Sequence, residues 1–325
     1  MTTNAIRIYE YGGPEVLTWE EDEIPPPGDG EALVRHTAIG LNFIDVYHRS
    51  GLYPMDLPTG LGREAAAVVE AVGPGVTDVA VGDRVVYTGG RLGAYAEQRL
   101  VQASALVPLP DGIDDDLAAA VFLKGLTAWY LLHRSYPVRP GDPILLYAAA
   151  GGVGSIASQW AKQLGATVIG IVSTPDKADI AAQQGCDHIL MSDDSDMPGM
   201  VRELTAGHGV AAVYDSVGKD TFMASLDCLR PHGTMVTFGN SSGAVEPFAP
   251  AELAKRGSLY VTRPILEHFI ATREELLGAA TELFDFIKSG TPNVRIGQRY
   301  ALKDAAQAHR DLEARKTTGS TILLP

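Results

Sequence analysis

Ile144-Leu-Leu-Tyr-Ala-Ala-Ala-Gly151-Gly152-Val153-Gly154, running directly into Ser-Ile-Ala-Ser-Gln-Trp-Ala-Lys-Gln-Leu164, decides the fold class. Ile144–Ala148 read as a strand, the glycines as a tight turn, and the stretch Val153–Leu164 has helical spacing. A strand that turns through glycines into a helix is a preorganised anion site. The glycine backbone can approach a pyrophosphate closely, and the first N–H groups of the helix point at it. Ala149 stands where the first glycine of G-x-G-x-x-G usually falls. Gly151, Gly152, Val153 and Gly154 are therefore expected to hold a dinucleotide.

Downstream, short β-branched runs at 167–172, 188–190, 210–215 and 234–238 alternate with helical stretches at 177–184, 201–205 and 222–229. That alternation is the signature of βαβ units and a parallel sheet buried on both faces. Residues 125–264 are read as a Rossmann-type, doubly wound α/β domain. The strand 167–172 ends in Ser173-Thr174, with Lys177 close behind. An NAD site commonly places an acidic residue about 20 positions after the glycines, on the ribose 2′-hydroxyl. Two small hydroxyls and a cation suit a 2′-phosphate instead, so the expected cofactor is NADPH. Asp176 is a dissenting charge, expected to face solvent.

Upstream, residues 5–9, 17–20, 31–39, 65–72, 83–87 and 94–100 read as short strands between turns such as Gly12-Gly13, Gly73-Pro74 and Gly82-Asp83. Many strands with few helices suggest a barrel-like, mostly antiparallel β domain over 1–124. Helical spacing begins at 115–132. After Pro264, a long helix at 273–289 and a strand at 321–324 are expected to pack back onto the first domain, which then comprises 1–124 and 265–325. The run Ser258-Leu-Tyr260-Val261-Thr262 is β-branched and follows the last βα unit, as a sheet-edge strand would; such an edge invites pairing with a second copy.

The bulk numbers narrow the function. A chain of 325 residues exceeds what one core usually serves. Its net charge of −14 disfavours non-specific binding to nucleic acid or anionic membranes. Two cysteines, Cys186 and Cys228, exclude a disulfide scaffold and a four-cysteine zinc lobe, and burial as small apolar groups is their expected role. No apolar run reaches roughly 18 residues and the N-terminus has no apolar signal core, so neither a membrane partner nor secretion is expected and the cytoplasm is the default location. The eight histidines are scattered without ligand spacing, and no G-x-S-x-G elbow is present.

Further segments bear a resemblance over nearly the whole chain: Gly12-Gly-Pro-Glu-Val-Leu17, Asn42-Phe-Ile-Asp45-Val-Tyr47-His-Arg-Ser-Gly-Leu-Tyr53-Pro54, Lys124-Gly-Leu-Thr127-Ala-Trp-Tyr130, Ala148–Gly154, Tyr214-Asp-Ser-Val-Gly218, Phe238-Gly-Asn240-Ser241-Ser-Gly243 and Thr262-Arg263-Pro264. Together they are similar to the zinc-free medium-chain dehydrogenase/reductases, and most to the NADPH:quinone oxidoreductase, or zeta-crystallin-like, group with its GroES-like catalytic domain. Zinc-using members carry a cysteine and a Gly-His-Glu element where this chain has Asn42 and Gly62-Arg63-Glu64. An amide and a guanidinium are poor zinc ligands, so no metal is expected.

The resemblance implies that Asn42, Asp45, Tyr47 and Tyr53 line the nicotinamide and substrate cleft, with Asn42, Tyr47 and Tyr53 as the catalytic candidates. It implies cofactor contacts from Thr127, Gly152, Val153, Ser173, Lys177, Phe238, Asn240 and Ser241, and from Arg315 at the phosphates; Thr174 and Arg263 join them. Family members usually carry a tyrosine near the 2′-phosphate where this chain has Ser192, which leaves selectivity resting on Lys177. A homodimer and a quinone substrate are implied. The alternatives are reduction of an activated alkene such as an enone, or a non-catalytic NADPH-binding role of the crystallin or RNA-binding kind.

Overall fold

A computed structural model describes residues 1–290 and 292–325. The chain divides into two compact units, one of Met1–Lys124, Ile270–Lys288 and Val294–Pro325, the other of Gly125–Phe269 and Ser289–Asn293.

The first unit opens with β1 (Thr2–Ile8), β2 (Thr18–Glu23), β3 (Glu31–Leu41), α1 (Phe43–Ser50), β4 (Thr59–Gly60), β5 (Glu64–Val72), β6 (Arg84–Thr88), β7 (Gln98–Gln102) and β8 (Val107–Pro108). The helix α2 (Asp115–Tyr130) leads to the second unit: β9 (Pro143–Leu146), α3 (Gly152–Gln163), β10 (Thr167–Val172), α4 (Pro175–Gln183), β11 (His188–Met191), α5 (Met197–Leu204), β12 (Val210–Asp215), α6 (Phe222–Asp227), β13 (Leu229–Thr237), α7 (Ala251–Lys255) and β14 (Tyr260–Thr262). The chain then adds α8 (Arg273–Lys288), β15 (Ile296–Ala301), α9 (Ala305–Glu313) and β16 (Ser320–Leu324) to the first unit.

β3 is the spine of the first unit. β5 pairs along one of its edges, while the other edge is shared by β7 at Glu31–Arg35 and by β16 at Ile39–Leu41, all antiparallel. Residues of these strands and of β6, which pairs with β5, fill a common core, among them Val34, Ile39, Ala65, Ala67, Val85, Tyr87 and Leu323. A separate sheet orders β2-β1-β4.

The second unit is a six-stranded parallel sheet of order β11-β10-β9-β12-β13-β14. In chain order within the unit this is 3-2-1-4-5-6, the Rossmann arrangement, with its topological switch between β9 and β12. Leu145, Ile169, Val210, Val213 and Met235 are buried, as strands covered on both faces require. β14 is an edge strand.

The sequence pattern missed three short helices, α1, α7 and α9. Residues 43–50 are rich in aromatic and β-branched types, and half of their buried positions are polar: α1 hides Asp45 and Arg49 beside Val46 and Tyr47. The helix α9 buries Ala305, Ala308 and His309, a face with almost no hydrophobic signal. The strand expected at 94–100 begins only at Gln98, because Ala96 makes a single bridge to Ala5.

Candidate active site

The dinucleotide candidates of the second unit share one end of its sheet. The glycine turn follows β9, Ser173-Thr174 follow β10, Ser192 follows β11, and Phe238-Gly-Asn240-Ser241 follow β13. All these strands are parallel, so the loops gather outside the carboxyl ends, where such sheets bind ligands. Ala148 turns the chain with φ 53°, and its carbonyl accepts from Gly151 N at 2.8 Å. A Cβ on Gly154 would lie 2.2 Å from that carbonyl oxygen and 2.8 Å from Ala149 Cα. Only glycine fits there. The first N–H groups of α3 have no acceptor within the helix, so they are available to an anion.

Ser173, Thr174 and Asp176 are exposed, Lys177 is half-buried in the first turn of α4, and Ser192 is exposed, its N–H bonded to Val172 O at 2.8 Å. Phe238 N donates to Asp215 O, and Ser241 N to Ser216 O. Asp215 is wholly buried and organises its loop, accepting from Val217 N, Gly218 N, Thr221 Oγ1 and Ser225 Oγ. Arg263 Nη1 donates to Thr237 O at 3.0 Å, while Thr127 is half-buried on α2.

In the first unit, Asn42 N-caps α1 directly after β3. Its main-chain N–H donates to Asp45 Oδ2 at 2.9 Å, and its side-chain Nδ2 donates to Glu64 Oε1 at 2.7 Å. Glu64 is wholly buried, and it also accepts from Lys124 Nζ at 3.1 Å and Leu123 N at 2.6 Å. The Asn42 amide is thus already spent as a donor, with Gly40 O as its second acceptor at 3.5 Å. What it can offer a ligand is its oxygen. Tyr47 and Tyr53 meet edge-on at 5.1 Å between ring centroids, and Tyr53 N donates to Tyr47 O. Of the catalytic candidates, these two hydroxyls are the ones chemically suited to donate.

Asp45 is fully buried, Tyr95 Oη donates to its Oδ2 at 3.0 Å, and Oδ1 has no partner. Burial pushes its carboxyl up to about 7, against the hydrogen bonds from Asn42 and Tyr95. Tyr95 also meets His309 Nε2 at 3.1 Å, and His309 Nδ1 meets Arg49 Nη1 at 3.1 Å. Arg49 is held by Glu313 in a two-pronged ion pair at 2.8 and 2.9 Å. Arg315 is exposed just beyond α9, with φ 58°.

Glu64, Lys124, Tyr95, His309 and Arg49 escaped the sequence reading as site residues. A signal existed for two of them: Glu64 is a lone carboxylate opening the apolar run Glu64-Ala-Ala-Ala-Val-Val, and Lys124 interrupts the apolar helix Ala-Ala-Ala-Val-Phe-Leu-Lys124. Cys186 and Cys228 are both free and buried.

The family model described as "Zinc-binding dehydrogenase" matches residues 152–280, and that of the "Alcohol dehydrogenase GroES-like domain" matches 28–111. A quinone oxidoreductase of Pseudomonas aeruginosa is 53% identical, covering 98% of this chain and 99% of that protein. The chain belongs to the quinone oxidoreductase family of medium-chain dehydrogenase/reductases. A second relative, a 2-haloacrylate reductase of a Burkholderia species, is 47% identical, with 98% of each chain covered. Among solved structures, the quinone oxidoreductase of Escherichia coli complexed with NADPH superposes with a TM-score of 0.97 at 49% identity, with all of both chains covered.

The zinc of the first family model's description does not suit the residues that a quinone oxidoreductase-type chain presents here. Glu64, the carboxylate beside Asn42, already bears an ammonium, and a dication there would meet Lys124. Among the described residues no group of His, Cys, Asp or Glu is disposed to hold a metal, and no helix is long and apolar enough to cross a membrane.

Proposed function

We propose that this protein is a zinc-independent NADPH:quinone oxidoreductase. The glycine turn whose Gly154 admits no Cβ, lying over the switch point of a 3-2-1-4-5-6 sheet, is the observation that carries the reading. Relatives named for quinone reduction at about half identity over the full chain support it.

On this reading the α3 N-terminus and the glycine turn hold the pyrophosphate. Ser173, Thr174 and Lys177 hold the 2′-phosphate, with Ser192 beside them, and Thr127, Phe238, Asn240, Ser241, Arg263 and Arg315 complete the cofactor contacts. Bound NADPH supplies a hydride. Tyr47 and Tyr53 donate hydrogen bonds to the quinone oxygen on which negative charge develops, a proton from solvent completes the hydroquinone, and Asn42 Oδ1 serves as an acceptor. A tyrosine hydroxyl stays protonated at neutral pH and so can donate.

The 2-haloacrylate reductase among the relatives gives a second reading its footing, reduction of an activated alkene on the same scaffold. Following NADPH absorbance with a quinone, with an enone and with neither separates the two. Oxidation only with the enone would favour the alkene, and none with either acceptor would remove both. RNA in a band-shift tests the nucleic-acid role that the acidic balance opposes. Elemental analysis should find well under one zinc per chain, with activity indifferent to chelators.

The edge strand β14, with Tyr260 62% exposed, supports a homodimer built by edge pairing. A monomer in sedimentation at micromolar concentration would refute it. Two buried free thiols fit a reducing compartment and so support a cytoplasmic location.

A further inference from the structure

The side chains of Arg49, His309, Tyr95 and Asp45 form a buried, unbroken file behind α1, and the hydrogens in it can run only one way. A guanidinium has donors and no acceptor, and it keeps its proton at any accessible pH. The Arg49 contact therefore requires a lone pair on His309 Nδ1. Burial, and then the charge of Arg49, lower the His309 imidazole to about 3, so the ring is neutral and its one proton sits on Nε2. Nε2–H then donates to the Tyr95 oxygen, and Tyr95 O–H donates to Asp45 Oδ2. The same Oδ2 takes the main-chain N–H of Asn42.

Such a file resembles a proton wire, but its outer end is shut. To pass a proton inward, His309 would have to be recharged at Nδ1 by Arg49, which does not give its proton up. What the file can do is hold. Glu313 clamps Arg49 with two hydrogen bonds, and Arg49 Nε also donates to Gly12 O, so the first donor is fixed on three sides.

We propose that Arg49, His309 and Tyr95 are positioning residues for the reaction. By donating in one direction they fix the carboxylate of Asp45, and Asp45 fixes the Asn42 main chain at the start of α1, from which Tyr47 is carried. The proposal rests on the functional reading above, because it takes Asn42 and Tyr47 as members of the site. It extends that reading to residues that touch neither cofactor nor substrate.

His309→Gln is the discriminating variant. A glutamine amide can accept from Arg49 through its oxygen and donate to Tyr95 through its nitrogen, yet it cannot titrate or relay a proton. His309→Leu removes both contacts, and Tyr95→Phe removes one oxygen from the file. With the site loosened, His309→Leu should lower kcat on the order of tenfold to a hundredfold. Tyr95→Phe should lower it less, and His309→Gln should stay close to the parent. NADPH affinity, read by nucleotide fluorescence, should be the same in all four. A His309→Gln variant as poor as His309→Leu would overturn the proposal in favour of a titrating histidine, and so would a His309→Leu variant that turns over like the parent. Should His309→Leu fail to fold, Tyr95→Phe with parental kcat overturns it instead.

One measurement is independent of any substrate. Nitrogen-15 NMR of labelled histidine, assigned with His309→Gln, should show His309 protonated on Nε2 alone. A proton on Nδ1 would overturn the direction of the file even if quinone turnover were normal. The expected tautomer in a protein that reduces neither quinone nor enone would place the failure in the functional reading.

Discussion

Asn42 and Lys124 converge on one atom: the amide Nδ2 of the first and the ammonium of the second both donate to Glu64 Oε1, at 2.7 and 3.1 Å. The carboxylate is wholly buried and the lysine nearly so. Coulomb attraction within such a pair offsets the cost of dehydrating both charges, and the pair tolerates the loss of neither partner alone. Lys124→Ala should therefore cost about 3–5 kcal/mol of stability, because it strands a buried carboxylate. Lys124→Met combined with Glu64→Gln should recover much of that loss. Urea unfolding of the three variants tests this, and a double variant no better than Lys124→Ala would show that the charge pair is not the cause.

Lys177 is the cation nearest in sequence to the exposed Ser173-Thr174 pair. A charge-assisted contact to a 2′-phosphate contributes roughly 1.5–3 kcal/mol, on the order of tenfold to a hundredfold in affinity. Lys177→Ala should weaken NADPH binding by that factor and leave NADH nearly unchanged, as isothermal titration would show. Equal binding of both cofactors by the unaltered protein would remove the assignment.

Tyr53 packs edge-on against Tyr47, so it could act as an apolar wall as well as a donor. The two roles differ in pattern. A donor fails as phenylalanine, whereas a wall tolerates phenylalanine and fails only as alanine. Loss of one oxyanion donor costs roughly 2.7–4 kcal/mol in acyl transfer. A quinone is a readier electrophile, so Tyr53→Phe should lower turnover by less, with cofactor affinity kept. Full activity across a panel of quinones would strike Tyr53 from the catalytic residues.

Acid stability should register the buried groups with opposite signs. His36, bonded through Nδ1 to Ala96 O, is held at about 3 by burial, as is His309, against an ordinary 6.5. Unfolding lets both take up protons, so the stability they give at neutral pH is lost as pH falls from 6.5 towards 3. Asp45 is raised from 3.8 to about 7, so its contribution is present below 3.8 and lost as pH rises to 7. Between 3.8 and 6.5 it opposes the histidines. Asp45→Asn removes that opposition, and its unfolding free energy should fall more steeply with acid by one proton, about 1.4 kcal/mol per pH unit. Parallel pH profiles for parent and variant would show that Asp45 titrates normally.

The second unit was legible because its local and global signals agree. Its central strands are apolar, many of its connections turn on glycine, and Gly151–Gly154 lie where strand meets helix. The site in the first unit was legible only as a set of resembling segments. Its supporting side chains, Glu64 with Lys124 and Tyr95 with His309, are distant in sequence and polar in a core, and periodicity reports neither property. The helix α9 escaped notice for the same reason, since its inward face is two alanines and a histidine.

The pairing of Leu41 with Thr321 sets an order of assembly. A ribosome releases β3 early and β16 only after all of the second unit has emerged. The contiguous Gly125–Phe269 segment can thus collapse while the seven-stranded sheet still lacks two strands. Nascent β3 waits with Ile39–Leu41 unpaired on one side, an open edge that a chaperone or a neighbouring nascent chain could cover.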